Sequence, residues 1–204
     1  MEIEAQLPIY EKCNDIIRAI NTNDVVIITG DTGCGKTTQV PQYILKSLMT
    51  DKQRLIGVTQ PRRISTIGVA ERVARELHSN TGDRVGYEIR FEAKTNENTQ
   101  IKFMTEGILL KEYLQGNRIQ ERYSHIIIDE AHERSINSDL LLGIIYMQLK
   151  KIVRKRKKKE KKAQPNGHDS PPGLKYVIMS ATLESDKLIN YYKSIEGLRI
   201  EVCL

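Results

Sequence analysis

Residues 30–37 of this 204-residue chain read Gly30-Asp31-Thr32-Gly33-Cys34-Gly35-Lys36-Thr37, and no other segment constrains the fold as strongly. The run satisfies G-x-x-x-x-G-K-[ST], a pattern whose glycines let the backbone curl until its N–H groups converge on an anion. An apolar run, Val25-Val26-Ile27-Ile28, precedes it and reads as a buried strand, and a helix-compatible segment follows from Thr37 to Leu48. Strand, glycine loop and helix in that order aim free N–H groups and the positive end of the helix dipole at one point. A polyphosphate fits there, with Lys36 reaching its β- and γ-phosphates and the Thr37 hydroxyl on Mg²⁺.

The remaining pattern places this loop in an α/β domain. Strand candidates are Val25–Thr29, Leu55–Thr59, Arg84–Ile89, Thr99–Met104, His125–Asp129, Lys175–Ser180 and Arg199–Cys203. Helix candidates are Pro8–Ile20, Lys36–Leu48, Ile64–His78, Gly107–Leu114, Ser138–Val153 and Ser185–Tyr192, with Ser138 and Ser185 as N-caps. Strands separated by helices predict right-handed crossovers, a mainly parallel sheet covered on both faces, and a ligand site beyond the strands' carboxyl ends. Three scattered cysteines carry no zinc or disulfide spacing, which fits a reducing compartment. No apolar stretch approaches the roughly 20 residues of a membrane span.

A second element completes the site. Ile126-Ile127-Ile128-Asp129-Glu130 is an apolar run ending in two carboxylates. Beside a phosphate loop, Asp129 at such a strand end holds Mg²⁺, partly through water, and Glu130 orients and deprotonates an attacking water. Taken alone, the pair also reads as capping carboxylates at a strand-to-helix turn. The charge balance adds a separate feature. Of the net +6, residues 150–162 hold ten Lys/Arg and one Glu, a net of +9, so the rest of the chain carries 6 − 9 = −3. From Lys150 to Gly173 this basic run and a polar, Pro- and Gly-containing stretch read as a surface insertion loop. Its basic half reads as a nuclear-localisation signal, an RNA tether or a solvated loop.

Asp129-Glu130-Ala131-His132 closely resembles the signature of DEAH-box RNA helicases of superfamily 2. Other segments resemble that family's motifs in order: residues 30–39 motif I, Thr59-Gln60-Pro61-Arg62-Arg63 motif Ia, residues 86–92 the hook turn, Met104-Thr105-Glu106-Gly107 motif Ib, and Ser180-Ala181-Thr182 motif III. The resemblance covers about residues 7 to 192.

It implies a RecA-like ATP-binding domain in which Thr32, Gly33, Cys34, Gly35, Lys36, Thr37 and Thr38 wrap the phosphates of ATP or another nucleoside triphosphate with Mg²⁺. Arg72 would stack on the base; its plainer reading is a solvated helix arginine. Lys36, Asp129, Glu130 and His132 would serve catalysis, His132 at the interface with a second RecA-like domain. Arg62, Arg90 and Thr105 would touch RNA phosphate and sugar, and Ser180 and Thr182 would couple the RNA and nucleotide sites or simply cap a helix. With no Trp and two Phe, base stacking by this domain is expected to be minor. The family further implies an activator protein and domains absent from residues 1–204, so slow hydrolysis is expected of this domain alone; the basic run suggests a nuclear or nucleolar location. A GTPase switch lacks support because no N-K-x-D run is present. A nucleotide-gated scaffold stays open, although intact Lys36, Asp129 and Glu130 weigh against it.

Overall fold

A computed structural model describes residues 7–47, 54–116, 118–161, 173–181 and 185–203. The strands are β1 (Val25–Thr29), β2 (Leu55–Gln60), β3 (Val85–Ile89), β4 (Glu92–Lys94), β5 (Ile101–Thr105), β6 (Tyr123–Ile128), β7 (Lys175–Ser180) and β8 (Ile200–Cys203). They form one sheet in the order β4-β3-β5-β2-β6-β7-β1-β8. Every pairing is parallel except β3 with β4. The α/β expectation holds, including a RecA-like doubly covered sheet.

The helices are α1 (Cys13–Thr22), α2 (Lys36–Ser47), α3 (Arg63–Glu76), α4 (Glu106–Leu114), α5 (Ile119–Arg122), α6 (Ile136–Lys161) and α7 (Ser185–Lys193). Successive strand residues point to opposite faces, and both faces are apolar here, as a buried parallel sheet requires. Val26, Ile28, Val58 and Phe103 pack with Ile16, Val40, Ile44 and Val73 of α1–α3. Val25, Ile27, Ile126 and Ile128 pack with Leu109, Leu141, Ile145 and Tyr192 of α4, α6 and α7. β1 is separated from β2 by β7 and β6, so the loops leaving β1, β6 and β7 meet at one end of the sheet.

Several boundaries differ from the sequence reading. Residues Pro8–Lys12 form a 3₁₀ turn ahead of α1. Ser138 lies inside the first turn of α6; Ser135 caps it, its Oγ accepting the Ser138 N–H at 2.9 Å. α7 starts at Ser185, whose side chain lies outside those described. The loop expected from Lys150 is corrected over its first part, because α6 continues to Lys161. Val153 is buried against α7 and the loop after it, and the Arg156 guanidinium pairs with Asp24 at 2.5 Å. These anchors offset the like-charge repulsion that made the run read as loop. Residues 162–172 lie outside the described residues.

Candidate active site

The phosphate loop leaves β1 at the carboxyl end of the sheet and opens α2, as its sequence requires. Gly33 and Gly35 adopt φ of +84° and +103°, the left-handed region that glycine enters without a Cβ penalty. At Gly35 space is also short: a Cβ would sit 3.0 Å from Ile9 Cγ2 and 3.1 Å from Leu7 Cδ1. The Lys36 side chain is buried, and its Nζ donates to the carbonyls of Gly30 at 2.5 Å and Asp31 at 2.9 Å. The loop's own oxygens thus hold the ammonium in place over the cradle. Thr38 Oγ1 donates to the Gly35 carbonyl at 3.3 Å.

β6 brings the second half of the site to this loop, across β7. Thr37 Oγ1 donates to Asp129 Oδ2 at 2.6 Å although the residues lie 92 positions apart. Gln60, at the end of β2, donates to the same oxygen at 2.5 Å, and the Glu130 N–H donates to Asp129 Oδ1 at 2.9 Å. Burial pushes the Asp129 carboxyl up to about 6; the Thr37 hydrogen bond opposes the shift and the neighbouring Glu130 charge adds to it. Glu130 takes φ +52°, an uncommon conformation for a non-glycine residue, which turns the chain sharply between Asp129 and the 3₁₀ turn Ala131–Glu133. A cleft of about 440 Å³ is lined by Thr32, Gly33, Gly35, Lys36, Thr37, Thr38, Gln60, Arg72 and Glu130. Cys34 faces a neighbouring cavity of about 420 Å³ on the other side of the loop.

The donors present suit Mg²⁺. Thr37, which lines the cleft, and the buried Asp129 bring a hydroxyl and a carboxylate oxygen together, both hard oxygen ligands. Among the described residues no group of three or more His, Cys, Asp or Glu is placed to hold a metal.

The structure sorts the other expected residues. Arg72, exposed on α3, reaches the cleft rim and pairs with Glu76 at 3.0 Å. Glu76 also accepts from Gln39 at 3.0 Å and Gln42 at 2.6 Å, so α2 and α3 are tied beneath that rim. His132 Nδ1 accepts the Ala181 N–H at 3.1 Å, which leaves the ring proton on Nε2 and joins the turn after β6 to the end of β7. Ser180 is buried and donates to the Ala181 carbonyl at 3.0 Å. Thr182 lies outside the described residues.

Arg90 and Thr105 line one groove of about 720 Å³ together with Arg63, Phe91, Lys111 and Asn137. Arg62 does not line it; exposed, it pairs with Glu133 at 3.3 Å. Sequence reasoning missed Gln60 as a partner of Asp129, because that contact joins residues 69 positions apart. It missed the Ser135 to Glu106 hydrogen bond that ties the start of α4 to the turn before α6. It also missed Phe91, which stands 90% exposed at φ +70° on the turn between β3 and β4, with the Arg90 guanidinium 4.7 Å from its ring centre. The hook-turn motif is the signal that could have found it.

Comparison with known proteins agrees with this geometry. The family profile described as DEAD/DEAH box helicase matches residues 12–190. The chain is similar to the ATP-dependent RNA helicase DHX33 of Drosophila melanogaster, 42% identical over 97% of this chain and 26% of that protein. It is similar to the probable ATP-dependent RNA helicase DHR1 of Saccharomyces cerevisiae, 47% identical over 87% of this chain and 14% of that protein. The ATP-dependent RNA helicase DEAH13 of Arabidopsis thaliana is 42% identical over 93% of this chain and 16% of its own length. The chain therefore spans about a quarter or less of these relatives. With the profile, the relatives and the joined loop and strand-end motifs in agreement, this chain belongs to the DEAD/DEAH box helicase family.

Proposed function

We propose that this chain is the first RecA-like, ATP-binding domain of a DEAH-box RNA helicase, and that it hydrolyses ATP with Mg²⁺ to drive movement on RNA when joined to a second such domain. The observation that carries this reading is the 2.6 Å contact between Thr37 and Asp129, which fuses the phosphate loop and the DEAH strand end into one cleft. Loop N–H groups and Lys36 bind the terminal phosphates, and the Lys36 ammonium exchanges its Gly30 and Asp31 carbonyls for phosphate oxygens. Thr37 and Asp129 would hold Mg²⁺, which supplies charge neutralisation at those phosphates when bound. Glu130, lining the same cleft, orients water and takes its proton as the γ-phosphate bond breaks.

RNA contact falls to Arg90 and Thr105 in the groove and to Arg62 beside it, all through phosphate and sugar. The Arg62–Glu133 pair lies next to the DEAH turn, so a phosphate that draws Arg62 away disturbs the residue following His132. The His132–Ala181 hydrogen bond, with Ser180 and Thr182, is the route by which such a change reaches the second domain. That domain would supply arginine fingers, worth roughly 10³–10⁵ in rate, so the domain alone hydrolyses slowly. Glu130→Gln tests the central role. ATP binding should persist while single-turnover hydrolysis falls about 100-fold or more; hydrolysis at the unsubstituted rate contradicts the assignment.

A further inference from the structure

The basic stretch of α6 sorts into two sets of side chains. One set is used by the fold: Val153 is buried, Arg156 pairs with Asp24 at 2.5 Å, Lys157 with Glu196 at 3.7 Å, and Lys150 lies 5.1 Å from the Tyr146 ring centre. The other set is Lys151, Arg154, Lys155 and Lys158, all exposed and without an ion pair or hydrogen bond among the described side chains. Their spacing of three, four and seven residues puts them in one stripe, about 10 Å long at 1.5 Å per residue. Like charges four apart, Lys151 with Lys155 and Arg154 with Lys158, work against the helix that presents them.

The position of the stripe is as informative as its charge. α6 begins beside the DEAH turn and runs back along the sheet, so that Arg156 meets Asp24, the residue before β1. Twenty residues of helix separate Ile136 from Arg156, about 30 Å. The stripe therefore lies at the strands' amino ends, opposite the ATP cleft and away from the groove of Arg90 and Thr105. No large exposed apolar side chain lies between Lys151 and Lys158; the exposed Met147 stands one turn before Lys151 on the same face of α6. A protein interface is anchored by aromatic or apolar residues and is poor in lysine at its centre, whereas a phosphate chain needs only cations.

We propose that Lys151, Arg154, Lys155 and Lys158 form a second RNA contact, a sequence-independent hold on the phosphate backbone remote from the motor cleft. It keeps RNA on the protein independently of the nucleotide state, because no residue of the stripe touches the phosphate loop or the DEAH turn. The partner's identity rests on the reading of this chain as acting on RNA.

The test is fluorescence-anisotropy binding of a mixed-sequence single-stranded RNA over a salt series. The unsubstituted protein is compared with Lys151→Gln/Arg154→Gln/Lys155→Gln/Lys158→Gln, with a charge-preserving Lys↔Arg exchange of the same four positions, and with Arg90→Gln/Thr105→Ala. At about 0.7 per neutralised phosphate on a single strand, the neutral variant should lose roughly 3 from the slope of log K against log salt and at least about tenfold in affinity at low salt. The exchange variant should bind as the unsubstituted protein does, at equal helix content by circular dichroism. A Lys155→Gln/Lys158→Gln variant should lose about half the slope change. If the neutral variant keeps its affinity and slope while the groove variant weakens, this inference is overturned and the helicase reading stands. If the unsubstituted protein binds no RNA at low salt, both are overturned. Unchanged RNA binding with lost binding of polyglutamate would also overturn it, in favour of an acidic protein partner.

Discussion

Asp129 carries the most informative chemistry of any single residue in the chain. Its carboxylate accepts from Thr37, Gln60 and the Glu130 N–H, yet burial holds its pKa at about 6, above the unfolded value of roughly 3.9. The sign follows from proton binding. Between about pH 4 and 6 the folded state binds this proton more tightly than the unfolded chain does. The stabilisation is complete below the unfolded value and is lost as pH rises through about 6. At neutral pH the ionised group then costs up to about 3 kcal/mol without a divalent ion to balance it. Asp129→Asn cannot ionise, so in metal-free buffer its stability relative to the unsubstituted protein should rise by about 1–3 kcal/mol between pH 4 and 7. Altered hydrogen bonds would displace that difference by a constant and leave its slope intact. Denaturant unfolding at several pH values measures it, and a flat difference contradicts the burial argument. The carboxylate was legible in the sequence because it ends an apolar run; its Gln60 partner was not, because nothing local ties the end of β2 to the end of β6.

Elements followed the sequence wherever a buried face set the pattern. β1 and β7 match their expected ranges residue for residue, since both faces are apolar and their ends are polar. β4 escaped notice: Glu92–Lys94 is exposed throughout and exists as a strand by pairing with β3, closed by the Tyr87 hydroxyl donating to Glu92 at 2.5 Å. The far half of α6 escaped for the opposite reason, because charge concealed an anchored helix. Two results follow from its anchors. The backbone amides of residues 150–158 should exchange slowly with solvent, as helical amides packed on a core do. Val153→Ala, which removes buried methyl groups from the core cluster that also holds Leu149 and Tyr192, should cost about 2 kcal/mol of stability. Rapid exchange over 150–158 together with a cost below about 0.5 kcal/mol would return the segment to a loop.

Across the whole molecule, the sheet order separates three surfaces. The segments after β1, β2 and β6 build the nucleotide cleft, those after β3 and β5 line the groove, and the end of α6 carries the basic stripe to the opposite side. The family's ordered motifs made the first two legible, because each motif falls at a strand's carboxyl end. The third depended on where a long helix ends, which periodicity alone does not give. The net charge of +6 is divided the same way, with the basic run set against a remainder of net −3, so the ATP cleft works without a general positive field around it. The central claim is that Lys36, Thr37 and Asp129 make one Mg²⁺-dependent nucleotide site. Titration calorimetry of ADP and a non-hydrolysable ATP analogue, with and without Mg²⁺, tests it directly. The account predicts Mg²⁺-dependent binding by the unsubstituted protein and its loss in Lys36→Ala. Equal binding by the two proteins would contradict it.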